Sequence, residues 1–119
     1  MSLKEKFIKM RADYVIRQVE KLQIPDFAEE KISRYRITFS GRVQHVGFRL
    51  EVSELAKRLE LTGFCRNLEN GDVLAELQGS KEKIKFLVYF MESLKRIKIT
   101  ERKVERLPLE PEEEGFAKE

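Results

Sequence analysis

Gly41-Arg42-Val43-Gln44-His45-Val46-Gly47-Phe48-Arg49 stands between an alternating run, Tyr35 to Ser40, and a helix-like run, Arg49 to Glu60. A glycine-containing loop between a strand and a helix start is suited to anions. The first N–H groups of a helix lack intrahelical acceptors, and the helix dipole adds partial positive charge there. The backbone N–H groups from His45 to Arg49 could therefore cradle a phosphoryl group. Arg49 adds a forked guanidinium that matches phosphate oxygens. A cation at a helix start is poorly placed for the dipole unless an anion sits beside it. The chemistry this points to is phosphate capture by backbone plus one arginine.

Other chemistries are thinly provided for. His45 is the only histidine and Cys65 the only cysteine. No intrachain disulfide can form, and the usual zinc ligand sets cannot be assembled. A lone cysteine is far more often a packing residue than a nucleophile. The net charge is +3, unevenly spread: residues 34–100 carry 13 basic and 8 acidic side chains, whereas residues 101–119 carry 4 and 7. A basic centre favours anionic substrates but is too dilute to demand nucleic acid. Charged residues make up 38% of the chain, above the usual quarter, which fits either a hot-growing source or a heavily solvated small domain. No apolar run approaches membrane-spanning length, and the N-terminus lacks a signal-peptide core, so a reducing, cytoplasmic setting is expected.

The elements that must position the loop are readable from periodicity. Tyr35, Ile37 and Phe39 share one face of a first strand. Phe48, Val52, Leu55, Ala56 and Leu59 form the stripe of the next helix. Gly63 to Leu68 and Val73 to Gln78 read as strands joined across Asn70-Gly71, a strong hairpin signal. Ser80 caps a further helix with Ile84, Leu87, Val88, Met91 and Leu94 on one face. Thr100 to Leu109 supplies the last long strand, with Pro108 marking an edge. The order βαββαβ predicts an α+β split βαβ sandwich, an antiparallel sheet with two helices on one face. Ahead of it, Ile8, Ala12, Val15, Val19 and Leu22 recur at helical spacing, widened by Leu3, Phe7 and Tyr14. Pro25 ends that helix, and residues 25–30 read as a linker. Two uses are open to the helix: packing on its own domain, which we favour, or binding a second copy or another partner. The run Glu110 to Glu114 reads as a solvated loop.

GRVQHVGFR closely resembles the signature loop of the acylphosphatases, with His45 where that family usually has glycine. Gly63-Phe64-Cys65-Arg66-Asn67-Leu68-Glu69-Asn70-Gly71 resembles the family's second motif, and Gln78-Gly79 a third, small-residue position. The resemblance covers roughly residues 34–109 and implies a ferredoxin-like fold for a domain of residues 34–119. Residues 1–33, the N-terminal helix and linker, lie outside it, so the loop is expected to stand without them. The resemblance implies metal-independent hydrolysis of acyl phosphates, with no cofactor, and with acyl phosphate and inorganic phosphate as ligands. It implies that Arg49 binds the substrate phosphate and Asn67 positions the nucleophilic water, within a phosphate-binding loop of Gln44, His45, Val46, Gly47, Phe48 and Arg49. Phe116 resembles the apolar residue of the family's short last strand. The rival is a non-catalytic ferredoxin-like module that binds an anion or a protein. An RNA-binding variant is disfavoured, because Val73 to Leu77 lacks the exposed aromatics of that motif.

Overall fold

The computed structural model describes residues 1–28 and 31–119, so the last two residues of the expected linker lie outside it. Helix α1 spans Leu3–Lys21, opened by Ser2, whose hydroxyl oxygen accepts from the Glu5 N–H at 3.1 Å. Strand β1 (Ile32–Arg42), helix α2 (Phe48–Arg58), strands β2 (Thr62–Asn67) and β3 (Val73–Ser80), helix α3 (Lys81–Ser93) and strand β4 (Lys98–Leu107) follow in the expected order. Ser80 does cap α3, accepting from the Lys83 N–H at 3.1 Å. A short strand β5, Phe116–Lys118, completes a sheet ordered β4-β1-β3-β2-β5. The expected antiparallel sheet is therefore a mixed one: four strands pair antiparallel, and β5 runs parallel to β2.

Alternation puts Ile37 and Phe39 of β1, Cys65 of β2, and Val73, Ala75 and Leu77 of β3 on the buried face. Phe48, Val52, Leu55, Ala56 and Leu59 of α2, with Ile84, Leu87, Val88 and Met91 of α3, complete this core from the helix side. Phe39 and Phe48 meet with ring centroids 5.0 Å apart, fastening the start of α2 over the end of β1. Helix α1 packs against α2 and adds Val15 and Val19 to the buried set. Arg58 of α2 caps its far end, donating to the carbonyl oxygens of Val19 at 2.6 Å and Leu22 at 2.6 Å.

The open face of the sheet carries ions. Arg34, only 3% exposed, donates to Glu76 at 3.0 Å and to Glu113 at 2.6 Å, and Arg36 meets the other Glu76 oxygen at 3.1 Å. Residues 110–114 form the expected solvated loop except at Glu113, which is half-buried against Arg34. The chain must cross from β4 at one edge to β5 at the other. Glu113 is pinned on the way by Arg34, and the Glu110 N–H by the Gln78 side-chain oxygen at 2.8 Å.

Candidate active site

Strands β1 and β2 both lie antiparallel to β3, so their C-terminal ends emerge at the same end of the sheet. The register makes this specific: Val73 of β3 is the cross-strand partner of Phe39 on one side and of Asn67 on the other. Neighbouring strands lie about 4.8 Å apart. The loop leaving β1 therefore starts two strands from Asn67, and it only has to fold back over the sheet's end to meet it. A bulge between Ser40 and Gly41 starts that turn. Gly41 has φ 119, and a Cβ there would fall 2.1 Å from the Lys98 carbonyl oxygen, so only glycine fits.

The loop is held by its carbonyl side. Arg11 Nη1 donates to the His45 carbonyl oxygen at 2.9 Å, and Arg96 Nε to that of Val46 at 2.8 Å. The Gln44 side-chain amide donates to the Leu68 and Asp72 carbonyl oxygens, both at 2.8 Å, and so braces the loop against the β2–β3 hairpin. Arg96 is itself anchored by the fully buried Glu51 of α2 at 2.7 Å. Burial pushes the Glu51 carboxyl above its ordinary value, and the Arg96 guanidinium opposes that shift. Among the described residues, none of the backbone N–H groups from His45 to Arg49 finds a protein acceptor. Unpaired N–H groups gathered at a helix start are the makings of an anion cradle.

His45 takes the glycine-like conformation directly, with φ 63, and its side chain is exposed. Gly47, at φ 78, precedes the first residue of α2. A cavity of about 280 Å³ opens here, lined by Gly47, Phe48, Arg49 and Leu50 of the loop and helix start, by Asn67 of β2 and by Lys118 of β5. Arg49 and Asn67, eighteen residues apart in the chain, thus face one space. The Asn67 side-chain oxygen is buried there with no protein partner. Arg49 Nη1 donates to the Glu119 main-chain oxygen at 2.5 Å, so an acceptor already sits beside this cation. Cys65 lies on the same strand face as Asn67 but is fully buried; loss of hydration pushes its thiol up to about 12, which leaves it inert as a nucleophile. Arg66 is exposed and lies over the Phe64 ring at 5.5 Å.

Of the loop residues singled out from sequence, His45, Gly47, Phe48 and Arg49 line the cavity, whereas Gln44 and Val46 serve as its supports. Three cations were missed. Arg96 and Lys118 carry no pattern that would mark them. Arg11 did leave a trace: it interrupts the apolar stripe of α1 between Ile8 and Val15, where a cation has reason to be only if it meets an acceptor. Through that arginine, residues 1–33 touch the loop.

A family model described as Acylphosphatase matches residues 35–118, beginning after α1. An acylphosphatase of Clostridium beijerinckii is 47% identical over 51 residues, 43% of this chain; the stretch spans 57% of that relative. An acylphosphatase of Bacillus licheniformis is 40% identical over 86 residues, 71% of this chain and 92% of the relative. The crystal structure of acylphosphatase from Bacillus subtilis superposes with a TM-score of 0.66 at 28% identity, covering 71% of this chain and 96% of that one.

Proposed function

The chain belongs to the acylphosphatase family, enzymes that hydrolyse acyl phosphates to carboxylate and phosphate, and we propose that it does so without metal at the loop of residues 41–49. In this reading the N–H groups from His45 to Arg49 hold the non-bridging oxygens of the phosphoryl group, with Arg49 neutralising their charge. Asn67 holds the attacking water. The observation that carries the reading is the convergence on one cavity of Arg49 and the Asn67 side-chain amide, whose oxygen has no protein partner. A water donating one hydrogen to that oxygen keeps a lone pair free to face phosphorus.

An acyl phosphate is a mixed anhydride, and the carboxylate it releases is a good leaving group. The new P–O bond forms from water as the bridging P–O bond breaks. The bonding pair leaves with the carboxylate, and the water's proton is passed to phosphate or solvent. No strong acid or base is needed, only positioning and charge stabilisation. Release of phosphate from benzoyl phosphate in the presence of chelator, lost in Arg49→Ala, tests the reading. Loss with EDTA and recovery with a divalent ion would contradict it.

No described helix is long and apolar enough to cross a membrane. We read the setting as cytoplasmic, in keeping with a single free thiol at Cys65. Ion pairs of Arg34 and Arg36 with Glu76 fill the centre of the open sheet face, and Phe64 beside them lies under Arg66, which speaks against RNA as a ligand. Self-association through α1 would use its outward stripe, where Leu3, Met10 and Tyr14 are exposed. Sedimentation equilibrium of the wild type and Tyr14→Glu reads that directly.

A further inference from the structure

The site cavity has two unlike walls. One is polar: Arg49, Asn67 and Lys118. The other is built by α1 and is largely apolar: Ile8, Ala12 and Val15. Helix α1 lies before the family-matched region, yet it touches the loop closely. A Cβ at Gly47 would fall 3.3 Å from Arg11 Nε and 3.7 Å from Val15 Cγ2. Arg11 fastens the helix there through the His45 carbonyl oxygen. Ile8, Arg11 and His45 also line a second, shallower groove with Leu3, Lys4 and Phe7, so the two spaces are continuous along the helix. Ile8, Phe7 and Leu3 remain 47%, 62% and 71% exposed. Apolar surface left in water beside a polar cradle is a place where an apolar group gains by binding.

The phosphoryl half of the substrate uses the N–H cradle and Arg49. The acyl half has no charge to satisfy before cleavage, and it must lie on the side of phosphorus away from the attacking water. We infer that α1 is the acyl-side wall of the substrate pocket, with Ile8 as its main contact, and that it selects acyl phosphates carrying an apolar or aromatic acyl group. The inference rests on the loop being the phosphoryl cradle. Arg11 acts as a positioning residue, holding wall and cradle in register.

The test is the ratio of kcat/KM for benzoyl phosphate to that for acetyl phosphate, measured on the full chain. Ile8 is half-exposed, so Ile8→Ser should fold, as an unchanged thermal midpoint would verify. Losing the branched side chain should lower the ratio about 10-fold, mainly through KM for benzoyl phosphate. Met10→Ala, on the outward side of the same helix, should keep the wild-type ratio. An Ile8→Ser ratio equal to the wild type's, with both substrates hydrolysed, would overturn the acyl wall and leave the phosphoryl site standing. Failure of the wild type to hydrolyse either substrate would remove both.

Discussion

Arg11 Nη1 and the carbonyl oxygen of His45 lie 2.9 Å apart, although 34 residues separate them in the chain. The contact turns the carbonyl side of the loop outward, and Arg96 does the same at Val46 from the opposite flank. On the proposed reading, engaged carbonyls leave the loop N–H groups available to an anion. A charged donor on a carbonyl contributes about 1.5–3 kcal/mol. Arg11→Ala should therefore weaken inhibition by inorganic phosphate and lower kcat/KM by about 10-fold, with Arg11→Lys intermediate. Phosphate inhibition unchanged in a folded Arg11→Ala protein would mean that the loop keeps its shape alone.

Arg49 and Asn67 should separate kinetically. On the proposed mechanism Arg49 meets the phosphoryl group before and during cleavage, so Arg49→Ala should impair both KM and kcat. Asn67→Ala removes the acceptor for the water and should act mainly on kcat. Losses of about 10²-fold are typical for one such group. Near-normal rates in both folded variants would place the chemistry elsewhere.

His45 already adopts the left-handed conformation, with its side chain exposed. His45→Gly leaves the cradle shape as it is, and activity should change by less than about threefold. His45→Val puts a β-branched residue where the backbone has φ 63, at a cost of about 1–2 kcal/mol. Urea denaturation and phosphate inhibition of the valine variant should both show the penalty. A large gain in the glycine variant would reveal a loop distorted by the natural histidine.

The crossing segment should make stability depend on acid. The hydrogen-bonded Arg34 guanidinium holds the Glu113 carboxyl below its ordinary value of 4.5. A group held lower in the folded state than in the unfolded one adds stability that is complete above pH 4.5 and fades as pH falls through the lowered value. Glu113→Gln should be less stable than wild type at neutral pH, and the gap should narrow in acid. A gap that is the same at both ends of the titration would show that the carboxylate charge is not what stabilises the crossing.

Local chemistry was legible from the chain. Apolar spacing marks all three helices, alternation marks β1 and β3, and Asn70-Gly71 and Ser80 mark a hairpin and a cap. These signals survive in one dimension because they depend on neighbours within a turn or a pleat. Phe116 was singled out by its likeness to the family's last strand, and it does open β5. The parallel pairing of β5 with β2 was not readable, since three residues hold no period of their own.

The loop, Arg49 and Asn67 stand out in one dimension through their spacing and their likeness to the family. How those residues are held, and what encloses them, follows from the fold. Gln44 became a brace because the hairpin presents two carbonyls to it. Glu113 left solvent because the crossing segment passes the buried Arg34. Helix α1 does pack on its own domain, as its stripe predicts, but only the fold shows that its seat on α2 brings it to the 41–49 loop, with Arg11 on the His45 carbonyl and Ile8 lining the cavity. An amphipathic stripe says that a helix has a face to bury. Which surface receives that face depends on contacts between residues far apart in the chain, and these exist only once the fold has formed.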